Sequence, residues 1–184
     1  MTPREVALVC GSWDRVRPIR DRAGALFYER LIELDPGLAP MFPAGVAAQG
    51  RTLMTMVDMV VSSLDRLGDL VPAVRALGQR HAGYGVEHEH YELGGRALLD
   101  TLRVGLGDAF DAETRDAWAA AFGTLVGVMQ EGAAGIAVAL RPATASPRKP
   151  PPVLDTSRGG STYESRVSLS EHMFADTARA SERR

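Results

Sequence analysis

Residues 26–36 read Leu26-Phe27-Tyr28-Glu29-Arg30-Leu31-Ile32-Glu33-Leu34-Asp35-Pro36. Leu26, Phe27, Arg30, Leu31 and Leu34 recur at helical spacing, and Asp35-Pro36 ends that helix and caps a short turn reaching Phe42-Pro43. Upstream, Thr2-Pro3-Arg4-Glu5 is a helix start, with Thr2 as N-cap, Pro3 in the first turn and Glu5 reaching back as a capping box. Val6, Val9, Trp13 and Val16 line one face of that first helix, and Pro18 breaks or bends it. Downstream, the small residues of 43–48 predict a loop and 49–66 a long helix carrying Leu53, Met56, Val57, Val60, Val61 and Leu64. Asp69 starts a helix over 69–83 with Val71, Val74, Leu77 and His81. A turn at Gly83–Val86 precedes a helix over 88–106, and Asp111 caps a last helix over 112–140. No stretch alternates with period two and no motif repeats at a fixed interval. The chain is therefore all-α, with six to eight helices of unequal length. Their inequality and the prolyl corner suit packing around a pocket better than a simple four-helix bundle.

The 184 residues, 45% hydrophobic and 24% charged, are enough for one domain with a substantial core and a tail, and too few for many multidomain enzymes. A net charge of −2 excludes a global field directed at nucleic acid or an anionic membrane. The lone Cys10 excludes an internal disulfide framework and a Cys-rich zinc site, and fits a reducing, cytoplasmic setting. No targeting segment is expected, because charge follows too soon on the short apolar run ending at Cys10. Trp118 to Leu140 is long and weakly charged, but its helical spacing of bulky residues and its Gln130 and Glu131 predict a core helix and not a membrane span. Composition shifts near Arg141. Residues 142–184 hold five of the eleven prolines and few bulky apolar residues, so a disordered tail is expected, with Leu169, Met173 and Phe174 as a local patch for docking or a transient helix. The tail carries net +2 and residues 1–141 net −4.

The ordered set of Leu26 to Leu31, Asp35-Pro36, Met41-Phe42, Pro72-Ala73-Val74, Arg80-His81, Tyr91 and Asp116-Ala117-Trp118 resembles bacterial single-domain globins and the globin domain of flavohaemoglobins. The resemblance covers residues 5–140, making 1–141 a globin domain. It implies a globin fold around haem b (iron protoporphyrin IX). His81, alone, is an ordinary core or surface histidine; within this pattern the resemblance makes it the proximal iron ligand. Tyr91 matches the tyrosine of the family's proximal histidine–tyrosine–glutamate network. The glutamate does not carry over: in register from Trp118 its position holds Gly135, leaving Glu131, one turn earlier, as the remaining candidate. That loss counts against peroxidase-like and fast dioxygenase chemistry and not against haem binding. Tyr28 and Gln49 match the distal pair, whose hydroxyl and amide are sound donors to the partial negative charge of a dioxygen ligand. Leu53 walls that side, Phe42 matches the phenylalanine that packs on the porphyrin, and Arg80 is a candidate partner for a propionate.

Three functions follow from the resemblance. The first is reversible O2 binding for storage, delivery or buffering. The second is nitric oxide dioxygenation, for which the 43 residues after Arg141 are too few to supply a flavin module, so that a separate reductase is implied. The third is a haem-based signalling or interaction module whose tail engages an unknown protein. O2, NO and CO are the expected ligands; nucleic acid and membranes are not expected partners. His88 and His90 lie two apart, about 200° around a helix, and so do not converge on a metal. No phosphate loop, nucleophile elbow or paired metal carboxylates are present.

Overall fold

A computed structural model describes residues 1–42 and 46–139. Among them are six α-helices: α1 (Pro3–Val16), α2 (Arg20–Leu34), α3 (Val46–Val61), α4 (Leu67–Gly83), α5 (His88–Leu106) and α6 (Ala112–Ala139). The expected boundary at Arg141 and the tail 142–184, with Leu169, Met173 and Phe174, lie outside the described residues.

Local chemistry sets most of the helix ends. The Thr2 hydroxyl accepts from Glu5 N while the Glu5 carboxylate accepts from Thr2 N, completing the capping box. Arg17–Ile19 forms a 3-10 turn at Pro18 between α1 and α2. Asp35 accepts from Gly37 N at 2.9 Å and opens the 3-10 turn Pro36–Met41. Asp111 accepts from Thr114 N at 2.8 Å at the start of α6.

Two boundaries differ from expectation. The third helix starts at Val46, not 49, and ends at Val61, not 66; a 3-10 turn over Leu64–Arg66 follows. Small residues near 46–48 tolerate a helix as readily as a loop, so composition there does not decide. The fourth helix starts at Leu67, two residues before Asp69, and takes Pro72 into its second turn. Pro72 lies beyond the first turn, so the Gly68 carbonyl loses its i+4 donor, a cost that the packing of α4 on α6 offsets.

Two close crossings organise the packing. Gly24 on α2 meets Gly50 on α3, where a Cβ on either would lie 2.5 Å from the other's backbone. Gly78 and Gly132 allow the same approach of α4 and α6, against the backbones of Met129 and Arg75. Accordingly α3 packs mainly on α2, and α4 mainly on α6. The consecutive helices α3 and α4 do not pack extensively on each other. The apolar core divides in the same way. A large cluster is built on α1, α2, α3, α5 and the start of α6. A smaller one gathers Val74, Tyr91 and Met129, with Leu77 packed against it. In the large cluster Trp13 and Trp118 meet at 6.1 Å, and the Trp118 Nε1–H donates to the Ser12 hydroxyl at 2.9 Å. None of the described helices is long and apolar enough to cross a membrane.

Candidate functional site

Tyr28 lies one turn after Gly24 on α2, and Gln49 immediately precedes Gly50 on α3, so the glycine crossing brings the segments bearing both residues close together. Tyr28 is 3% exposed and Gln49 6%. Neither the Tyr28 hydroxyl nor the Gln49 amide has a hydrogen-bond partner among the described residues. Neither polar tip is among the fully buried side-chain atoms that lack a partner, so each reaches open space where a ligand could meet it. Burial pushes the Tyr28 phenol well above its ordinary value, so it stays protonated and acts as a donor. Its ring is held edge-on between Phe27 at 5.1 Å and Phe42 at 4.8 Å. Leu53, one turn beyond Gln49, is half-buried against the same large cluster.

His81 sits in the last turn of α4. Its Nδ1 lies 3.0 Å from the Leu77 carbonyl oxygen, which can only accept, so the proton is on Nδ1 and the Nε2 lone pair is left open. Burial is the main force lowering the pKa of the imidazole. The Leu77 carbonyl opposes it, and the neighbouring Arg80 charge adds to it. A neutral imidazole with a fixed tautomer is the form that ligates a metal. Tyr91 stacks on His81 with ring centroids 6.0 Å apart and planes 16° apart. Arg80 adjoins His81 and is half-buried.

The structure thus brings Tyr28 together with Phe42, and His81 with Tyr91, as two groups in separate clusters. Tyr28 on α2 and Tyr91 on α5 stand on helices that pack on each other, whereas α3 and α4 make little contact. Glu131 takes no part: it is exposed and pairs with Arg75 at 2.8 Å. His90 Nδ1 accepts from Glu87 N as part of a helix cap, and His88 bonds Gln130, so the two histidines are engaged separately. Sequence reasoning left out Gly24, Gly50 and the buried Met54. The signal for the glycines was available, since each costs about 1 kcal/mol relative to Ala inside a helix and so implies a packing reason.

The Globin family model matches residues 25–129, and the chain belongs to the globin family. It is 30% identical over 147 residues to a neuroglobin of Tetraodon nigroviridis, an alignment covering 72% of this chain and 92% of that protein. It is 33% identical over 106 residues to a flavohemoprotein of Bordetella parapertussis, covering 56% of this chain and 26% of that protein. A flavohemoprotein of Bacillus subtilis is 30% identical over 102 residues, again with 26% of its length covered. The chain spans most of the first relative and about a quarter of the other two. Globin membership implies haem binding, and the open imidazole nitrogen of His81 and the donors Tyr28 and Gln49 fit that group.

Proposed function

We propose that this globin binds O2 reversibly through haem b, with His81 as the iron ligand and Tyr28 and Gln49 as donors to the bound gas. The observation that carries the reading is the His81 imidazole held by the Leu77 carbonyl, with Tyr28 and Gln49, 3% and 6% exposed as residues, as donors that no side chain or backbone group among the described residues engages. Haem b, when bound, supplies the iron at which a diatomic gas is held. Nδ1 of His81, tied to Leu77, keeps the ring in one tautomer and aims Nε2 outward. Tyr28, kept protonated by burial, donates to a ligand that carries partial negative charge, and Gln49 donates beside it. Phe42 braces the Tyr28 ring and Leu53 adds apolar wall. Arg80, beside His81 in sequence, is our candidate partner for a propionate.

The proximal side favours binding over oxidative chemistry. Among the described residues the imidazole partner is a neutral carbonyl, and Glu131 is committed to Arg75. A carbonyl draws less charge onto the ring than a carboxylate does. The test is an absorption series on purified protein: ferric, ferrous, ferrous with O2, and ferrous with CO. A stable oxygenated spectrum that returns to ferrous on removing O2 is expected. NO added to the oxygenated form separates the alternative: stoichiometric nitrate on the mixing timescale would make dioxygenation, with an electron donor outside residues 1–141, the better reading.

A further inference from the structure

A second feature lies on the outer face of the molecule. An open groove of about 310 Å³ runs between α5 and α6. Its walls are apolar, built from Tyr91, Leu99, Phe122 and Val126. The groove exists because two wall positions carry no side chain, Gly95 on α5 and Gly123 on α6. A Cβ built on Gly123 meets nothing within 4 Å. At the rim, His88 pairs with Glu92 at 3.6 Å. Arg96, also on the rim, is exposed and makes no ion pair among the described residues.

We propose that this groove is the docking site for the chain's own C-terminal segment around Leu169, Met173 and Phe174. The first argument is chemical. That segment is the main apolar patch of the proline-rich region after Arg141, and it carries one acid, Glu171, between Leu169 and Met173. The groove offers the matching set, apolar walls with the Arg96 guanidinium on the rim. Burying these three side chains is the gain that would offset the cost of ordering the segment.

The second argument is connectivity. The chain leaves the described structure at Ala139, the end of the helix that forms one groove wall. Val126 lies thirteen residues back along that helix, a distance of about 20 Å at helical rise. Leu169 lies thirty residues beyond Ala139, a stretch that reaches about 100 Å at full extension. For comparison, a random coil of thirty residues would have a mean end-to-end distance of about 30 Å. Thirty residues are thus enough to cover the distance, which is close to the mean reach of a coil of that length. Under that condition an internal ligand acts at an effective concentration on the order of millimolar. A weak apolar contact is then enough to hold the segment in place, and a second copy at micromolar concentration is outcompeted. The proposal rests on the groove and not on the gas chemistry, and neither readout below involves haem.

The experiment uses the full chain with Cys10→Ser, which removes the native thiol, and adds Gly123→Cys and Ser170→Cys. Gly123 is exposed with open space at its Cβ, so the new side chain is accommodated. On oxidation with diamide at low micromolar protein, a monomeric disulfide is expected at a rate independent of protein concentration. Its formation is expected to be about tenfold faster than for a control pair, Asp69→Cys with Ser170→Cys, whose partner site lies on exposed α4. Leu169→Ser, Met173→Ser and Phe174→Ser together are expected to remove that advantage. A rate equal to the control, or one indifferent to the three serines, overturns the proposal. Covalent dimers as the main product also overturn it and assign the groove to a second copy. Amide hydrogen exchange on the chain without added cysteines gives an independent reading. Amides of 88–99 and 119–126 are expected to exchange more slowly in the intact chain than in the triple-serine chain, and equal exchange overturns the proposal.

Discussion

The Nδ1–H of His81 donates to the carbonyl oxygen of Leu77, one turn back on the same helix, at 3.0 Å. The bond makes the imidazole part of α4 instead of a free side chain: it fixes the tautomer, the ring plane and the direction of Nε2. Tyr91 then restricts rotation by stacking at 6.0 Å. His81→Ala removes that imidazole and leaves Tyr91 in place beside it. We expect His81→Ala to stay helical by circular dichroism and to lose most of its Soret absorbance. Added imidazole is expected to restore a six- or five-coordinate spectrum. Unaltered nitrogen ligation in the variant would remove His81 from the site.

Tyr28 and Gln49 act on the other side, and their contributions are separable. A hydrogen bond to a group bearing charge is worth about 1.5–3 kcal/mol. Tyr28→Phe keeps the ring contacts with Phe27 and Phe42 and removes only the donor. Dioxygen dissociation is therefore expected to quicken about ten- to a hundredfold, at 1.4 kcal/mol per factor of ten. CO dissociation, which involves less charge on the ligand, is expected to change much less. Gln49→Leu is expected to shift the same rate in the same direction. If the two donors share one ligand atom, the double variant is expected to fall short of the product of the single effects. Stopped-flow measurement of all four proteins tests this, and an unchanged rate in Tyr28→Phe would place the hydroxyl away from the ligand.

Much of this arrangement was legible in the sequence, and the reason differs between elements. The caps at Thr2, Asp35 and Asp111 are local, each decided by residues two or three apart, and their bonds form where the spacing implies. The ends of α3 were not legible, because the small residues before Gln49 state no preference and the helix start depends on its packing against α2. Met54, 1% exposed, falls in the same gap: the apolar run 53–61 offers several faces, and only the crossing at Gly50 selects the one that is buried. Long-range polar contacts were out of reach in principle. Nothing near Ser12 states that its hydroxyl accepts from Trp118, and nothing near Glu131 states that it turns to Arg75.

The glycine crossing gives a prediction that separates packing from helix propensity. Gly50→Ala places a methyl group 2.5 Å from the backbone of Gly24, and neither backbone yields cheaply. Overpacking of this kind costs about 1–3 kcal/mol, more than the 0.5–1 kcal/mol that alanine returns as a better helix former. Gly127→Ala, exposed on α6 and outside the groove, meets nothing within 4 Å and is expected to gain that propensity in full. Chemical denaturation should therefore move the midpoint down for one variant and up for the other. Because Gly50 adjoins Gln49, the first is also expected to speed dioxygen dissociation in whatever fraction remains folded.

Asp58 supplies a pH-dependent clasp between α1 and α3. Its Oδ1 accepts from Trp13 Nε1 at 2.6 Å and from Arg17 Nε at 2.8 Å. The Trp13 bond is the main cause holding the carboxyl below its ordinary 3.8; the Arg17 hydrogen bond and charge act the same way, and partial burial opposes both. With the folded value below the unfolded one, the unfolded chain binds more protons in the interval between them. The resulting stability is present in full above the unfolded value and is lost as pH falls through the folded one. Asp58→Asn keeps an oxygen for the Trp13 N–H and removes the charge. It is expected to cost about 1–2 kcal/mol at pH 7, within the range for a hydrogen bond to a charged group, and progressively less below pH 4. Asp58→Ala is expected to cost more at both ends of the range, because the fully buried Trp13 is left without an acceptor. Urea midpoints for the three proteins between pH 7 and pH 3 decide the matter. A deficit in Asp58→Asn that stays constant across that range would mean that the carboxylate charge contributes nothing to the clasp.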